Sequence, residues 1–168
     1  MKKIVLAFIL LTSFLYSEAQ VKQDSVPAYE RIPTIPPFTI MTVPDSVRFA
    51  KEDLKKKKPL VIIVFSPDCE HCRQFTKKLL AQFKLVKKAQ VVMYSVLPYE
   101  LVKKFYEEDK IADYPGITVG RDINNFLGIF FNVRNFPTVI VYNKKGKFVK
   151  RLDGAVTVEQ VVEAINNK

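Results

Sequence analysis

Cysteine and histidine are almost absent from this sequence, with two of the first and one of the second, and acidic residues are outnumbered 17 to 27 by lysine and arginine. Each shortage narrows the field. Two cysteines and one histidine leave no set of Cys and His ligands that completes a closed tetrahedral metal site of the usual kind. The acid deficit leaves a formal net charge of +10, for which nucleic acid is the obvious partner. The lysines, however, are spread over helix faces and loops and do not alternate with exposed aromatics, so no nucleic-acid partner is expected. The densest run, Lys55 to Lys58, reads as a solvated turn ahead of a strand. Long apolar runs are also missing. After the N-terminus no segment approaches the roughly 20 apolar residues that a membrane-spanning helix needs. There is no internal repeat and no low-complexity tract.

The N-terminus itself is distinctive. Lys2 and Lys3 precede an apolar stretch from Ile4 to Tyr16, and small residues stand at Ser17 and Ala19. This is the pattern of a secretory signal over residues 1–19, cut after Ala19; a retained membrane anchor is the alternative, disfavoured because a span needs roughly 20 apolar residues. No cysteine lies near the cut, which argues against a lipid anchor. Cleavage removes Lys2, Lys3 and Glu18 and takes the formal charge from +10 to +9. The remaining chain is expected to be soluble and exported, in a periplasm or outside the cell. It is long enough for one domain with an adequate core and needs no disulfide to fold.

Residues 20–37 carry Pro27, Pro33, Pro36 and Pro37 and read as an extended leader. The domain is expected over 38–168. Alternation from Phe38 to Val43, a turn at Pro44 and Asp45, and an extended piece from Val47 to Phe49 suggest an N-terminal hairpin. Leu60 to Phe65 (LVIIVF) is apolar at every position, the pattern of a strand buried on both faces. After Cys72, Phe75, Leu79, Phe83 and Val86 recur at helical spacing. Strands are expected over Val91–Leu97, Ile117–Val119 and Thr138–Tyr142, the last returning as a hairpin over Lys147–Leu152. Further helices are expected from Tyr99 to about Asp109, from Asn124 to about Phe131, and after a capping box at Thr157 and Gln160. The order implies an α/β fold, a mixed sheet covered on both faces by helices.

The chemistry concentrates in CEHC, residues 69 to 72. A buried strand that runs almost directly into Cys69, with a helix starting there, sets the first sulfur at a helix N-terminus, where unpaired amides and the dipole favour an anion. The thiolate is the reactive form. Two intervening residues bring Cys72 one turn further in, close enough to attack a mixed disulfide at Cys69. Cys69 is therefore the candidate nucleophile and Cys72 the resolving thiol. His71, if protonated, would stabilise the thiolate, whereas Asp68 and Glu70, if close and ionised, would oppose it. An inert disulfide is a poor alternative, because so short a loop constrains little of the unfolded chain. A site for zinc or cuprous copper using Cys69, Cys72 and His71 is another, but further ligands are lacking. No cofactor and no metal are expected.

LVIIVFSPDCEHC, with the helix that follows, and NVRNFPTVIVYNKKGKFVKRLDG resemble the thioredoxin superfamily, and within it the exported TlpA/ResA-like thiol-disulfide oxidoreductases. The resemblance covers roughly Phe38 to Asn167. It implies a thioredoxin-like fold with a hairpin extension, a cis-proline at Pro137 facing the CxxC, and a backbone at Phe136 that pairs with an extended substrate. Gly154 resembles the family glycine near the final strand, and Tyr99 to Asn125 the segment that TlpA-like members insert. Three positions depart from the family. Ile63 and Phe75 stand where many members carry acids, so Glu70 or water would have to assist proton removal from Cys72. Asp68 replaces the aromatic usually found before the first cysteine.

The reading that follows is an exported oxidoreductase that reduces protein disulfides through Cys69 and Cys72. Its partners are proteins bearing disulfides or dithiols and a redox partner that supplies or accepts electrons. A disulfide-forming oxidase or isomerase, argued from His71, is the alternative within the same chemistry. A copper-binding chaperone and a non-catalytic interaction module with the same fold stand outside it.

Overall fold

The structure, a computed structural model, describes residues 26–167. The expected signal, residues 1–19, lies outside the described residues. The rest is built around β3 (Leu60–Val64), all five of whose side chains are buried. Alternate residues of a strand face opposite sides of the sheet. Val61 and Ile63 accordingly join one core with Phe75, Leu79, Val102 and Val161. Leu60, Ile62 and Val64 join the other with Tyr94, Leu127, Phe131 and Tyr142. This is why the run is apolar at every position and not at every second one.

β3 pairs in parallel with β4 (Gln90–Ser95) and antiparallel with β6 (Thr138–Tyr142). β5 (Ile117–Arg121) lies beyond β4, and the hairpin of β1 (Thr39–Thr42) and β2 (Arg48–Ala50) closes that edge. β7 (Phe148–Asp153) closes the other, giving the order β2-β1-β5-β4-β3-β6-β7. The seven-stranded mixed sheet and its N-terminal hairpin agree with the α/β fold read from the sequence.

The helices in chain order are α1 (Ala28–Arg31), α2 (Glu70–Ala81), α3 (Phe83–Val86), α4 (Tyr99–Glu108), α5 (Phe126–Phe130) and α6 (Val158–Asn166). α6 begins at the expected capping box. The Thr157 hydroxyl accepts from the Gln160 amide at 3.3 Å, and the Gln160 side chain accepts from the Thr157 amide at 2.9 Å.

Two elements differ from expectation. The pattern Phe75, Leu79, Phe83, Val86 predicts one continuous helix, but the backbone leaves helical geometry at Gln82 (φ −106°, ψ 20°) and restarts as α3. Val86 reaches the core across the break, so the apolar spacing survives while the helix does not. The leader is also more than an extended linker. Tyr29 of α1 is only 8% exposed, with its ring 5.5 Å from Phe148 and 6.2 Å from Phe131. The Arg151 guanidinium sits 5.3 Å over the same ring, and Thr34 bridges to Lys147. The prolines prevent a long helix, yet the Tyr29 ring, the bridge at Thr34 and backbone bonds from Phe148 to the Pro33 carbonyl at 2.8 Å and from Ile35 to the Gly146 carbonyl at 3.3 Å fasten this stretch to the sheet.

Tyr29→Ala is expected to destabilise the protein by about 2–4 kcal/mol, read as a lower denaturant midpoint with an unchanged m-value. An unchanged midpoint would mean that the Tyr29 ring contributes nothing to the fold.

Candidate functional site

β3 ends at Val64, and the chain passes through Phe65, Ser66 and Pro67 before α2 begins. Cys69 is the N-cap of α2 in extended conformation, and its amide donates to the Ser66 carbonyl at 3.1 Å. Its side chain takes the capping role that Ser, Asp or Asn usually fills: Sγ accepts the Cys72 amide at 3.2 Å. A helix N-terminus leaves its first amides without partners, and here one of them is turned onto the sulfur.

The two cysteines occupy different environments. Both are free thiols, Cys69 half-buried and Cys72 buried, with Cys72 fully inaccessible. Burial pushes the Cys72 thiol up to about 12, assisted by its hydrogen bond with Cys69 and by the neighbouring charge a Cys69 thiolate would carry. One sulfur is therefore reachable from outside, and the other is kept protonated behind it.

A second loop faces the pair. Val64 pairs with Thr138 in the β3–β6 ladder, which brings the residues just before β6 beside Cys69. The Phe136–Pro137 bond there is cis, and the Cys69 thiol is 3.8 Å from the Phe136 carbonyl as donor. Thr138 Oγ1 lies 2.7 Å from the Asn135 carbonyl and 2.6 Å from the Asp153 carboxylate, to one of which it donates. Arg151 pairs with Asp153 at 2.8 Å and also donates to the Phe131 carbonyl. Burial works to raise the Asp153 carboxyl, but the hydrogen bonds from Arg151 and Thr138 outweigh it and hold it below its usual value.

Arg73 fixes the other side. Its Nε donates to the Pro67 carbonyl at 3.0 Å, its Nη1 pairs with Glu108 at 3.0 Å, and its guanidinium lies 5.4 Å from the centre of the Phe105 ring. One side chain thus ties the turn before Cys69 to α4, a task for a planar fork that a lysine cannot duplicate.

Of the residues singled out in the sequence, Cys69, Cys72, Phe136 and Pro137 come together. Asp68, Glu70 and His71 are exposed around the start of α2, and Glu70 accepts a hydrogen bond from Gln74 at 3.0 Å. The sequence reading missed Arg73 and the chain Arg151–Asp153–Thr138. The spacing of Arg151 and Asp153, two apart on one strand and so on one face, was the available signal. It also missed a groove of about 390 Å³ that starts at Phe136 and is lined by Phe65, Val96, Ile129 and Val133. Among the described residues, no group of three or more His, Cys, Asp or Glu side chains is placed to hold a metal ion.

A family model described as a thioredoxin-like domain matches residues 50–168, well over half the chain. The chain belongs to the thioredoxin-like family. Solved structures of similar fold include a secreted disulfide oxidoreductase of Mycobacterium tuberculosis, described as homologous to E. coli DsbE. It is 17% identical with a TM-score of 0.63, over 80% of this chain and 96% of that one. StoA from Bacillus subtilis is 17% identical with a TM-score of 0.61, over 79% and 98%. The thioredoxin domain of a thiol-disulfide oxidoreductase from Bacteroides vulgatus is 22% identical with a TM-score of 0.62, over 79% and 94%. At these identities the likeness is one of fold. No curated protein matches.

Ile63 in β3 and Phe75 in α2, the two positions at which the resemblance implied acids in other members, are apolar and buried. Both belong to the same apolar core as Cys72.

In the reduced protein near neutral pH, iodoacetamide is expected to modify Cys69 and spare Cys72, as read by mass after digestion. Equal labelling would contradict the burial of Cys72. The pH dependence carries a definite sign. Above the thiol's ordinary value of 9.0 the unfolded chain loses the Cys72 proton, while the folded chain keeps it up to about 12. The unfolded state then binds fewer protons, so stability falls as pH rises through that window. A Cys72→Ser variant should lack this component of the loss.

Proposed function

We propose that the protein is an exported thiol-disulfide oxidoreductase that reduces disulfides in other proteins through Cys69 and Cys72. The observation that carries this reading is the asymmetry of the pair: an accessible sulfur that receives a helix amide, backed one turn away by a buried thiol held in its protonated form.

The Cys69 thiolate attacks one sulfur of a partner disulfide. A mixed disulfide forms between Cys69 and that sulfur, and the partner's other sulfur departs as thiolate and takes up a proton. Cys72 then gives up its proton to water or to Glu70 and attacks Cys69 Sγ. The Cys69–Cys72 disulfide forms and the second partner thiolate leaves. Two electrons have passed to the partner, and a redox partner must return them before the next cycle.

The raised pKa of Cys72 suits this order of events, because a neutral buried thiol does not compete with Cys69 for the incoming disulfide. In this reading the Phe136 carbonyl, 3.8 Å from the Cys69 thiol, accepts a backbone amide from an extended substrate segment. The apolar groove beyond Phe136 would receive a neighbouring side chain. His71 is exposed on the first turn of α2, near the exposed Asp68 and Glu70; a positive charge on it would favour a thiolate at Cys69, and the two acids, where close and ionised, would oppose one. Export is supported by the basic and apolar pattern of residues 1–19. Among the described residues no helix is long and apolar enough to cross a membrane.

Two measurements test the proposal. Cys72→Ala should accumulate mixed disulfides with partner proteins, and Cys69→Ala should lose insulin-disulfide reduction altogether. Activity retained in Cys69→Ala would reverse the roles. Equilibration in glutathione buffers should give a reduction potential near about −270 mV for a reductase. A value near about −120 mV would mean that His71 dominates and that the protein donates disulfides.

A further inference from the structure

The lysine excess, scattered in the sequence, is gathered in space. Leu60 at the start of β3 pairs with Gln90 at the start of β4 and with Tyr142 at the end of β6. The segments attached to these three residues therefore meet at one end of the sheet. They carry Lys55 to Lys58, Lys88, Lys144 and Lys145, all exposed. Together these line two adjoining depressions of about 650 and 400 Å³, which share Lys57, Lys144 and Lys145. The one acid in either lining is Glu52. Lys51, in the same lining, donates to the Ile35 carbonyl at 2.6 Å, and Lys88 donates to Asn166. Among the described residues, none of the seven lysines is recorded in an ion pair with a carboxylate.

The cluster is held in place. The Gln90 side chain accepts from the Lys55 amide at 2.8 Å and donates to the Lys55 carbonyl at 3.0 Å, clamping the lysine turn to β4. Cys69 lies beyond the opposite end of β3, a strand of roughly 16 Å at about 3.3 Å per residue. A partner on the lysine pole would thus leave Cys69 facing away from it.

We propose that this pole docks the protein on a bilayer containing anionic phospholipid. Opposite charge supplies the attraction, and the kind of charge selects the partner. Both linings contain lysine and no arginine. Lysine is a compact charge on a flexible stem, without the planar fork that reads one carboxylate or phosphate in fixed geometry. Several lysines on one end suit a fluid array of phosphate headgroups, to which each adds an increment of attraction that salt screens. The inference does not depend on the redox reading.

The test is co-sedimentation of the chain from Gln20 onward, which keeps every described residue, with large vesicles of phosphatidylcholine alone or with added phosphatidylglycerol. Binding is expected only with phosphatidylglycerol, at about 0.1 M salt, and is expected to be lost at about 0.5 M. The variant Lys56→Glu, Lys57→Glu, Lys145→Glu should bind at least about tenfold more weakly. A control of equal charge, Lys77→Glu, Lys103→Glu, Lys110→Glu, should keep most of the affinity. Circular dichroism melts and the iodoacetamide rate at Cys69 check that both variants are folded. Absence of binding at low salt overturns the proposal, as does an equal loss in the control, which would reduce the effect to net charge. Binding of polyglutamate but not of vesicles, lost in the first variant, would assign the pole to an acidic protein and overturn it as well.

Discussion

A strand that is apolar on both faces has one stable position, between two other strands and between two layers of side chains. β3 fills that position, and most of the molecule can be derived from its placement. Its five buried side chains, each worth about 1.5–3 kcal/mol when fully buried, face two different cores. Its edges must also be satisfied, because unpaired backbone groups are costly at this depth. β4 supplies one ladder and β6 the other. Once these registers are set, whatever follows β3 must lie beside whatever precedes β6.

The candidate site is a consequence of that adjacency. β3 ends at Val64, Phe65 still packs in the core, and the chain then turns through residues that bond to one another and to Arg73, with Cys69 as the N-cap of α2. Thr138, opposite Val64, fixes the arrival of Phe136 and Pro137 through its contacts with Asn135 and Asp153. The two halves of the site are 67 residues apart in sequence and 3.8 Å apart at Cys69 and Phe136. Their supports differ in kind. Arg73 holds the first by reaching to α4, and the Arg151–Asp153 pair holds the second from β7. Each support fixes a stretch of backbone, the first at Cys69 and the second at Phe136.

The same strand separates the two ends of the molecule. At its C-terminal end stand the cysteines and an apolar groove; at its N-terminal end stands a group of lysines from three segments. The cysteines and the lysine cluster are therefore at opposite ends of the sheet.

Much of this was written in the sequence. LVIIVF, apolar at every position and bounded by prolines, reads as a doubly buried strand, TVIVY reads as a strand, and the box at Thr157 and Gln160 starts a helix, because each depends on neighbours a few residues away. The Cys69–Cys72 spacing at a strand-to-helix junction likewise carries its chemistry locally. Phe136 and Pro137 were found through the resemblance of NVRNFPTVIVY, not through local physics. Other features depended on contacts between distant segments. The break at Gln82 does not interrupt the apolar spacing, so the pattern conceals it. The docking of Tyr29 requires a ring pocket and a cation supplied by residues 131, 148 and 151. The lysine run at 55 to 58 looks like a solvated turn until β4 and β6 bring Lys88, Lys144 and Lys145 beside it. The sequence by itself determined which segments must be buried and where a reactive thiol could form, since periodicity and short spacings record local constraints. Only the tertiary structure decided which thiol is accessible, what holds the loops around it and where the charge collects, because burial and proximity arise from strand registers that pair residues far apart in the chain.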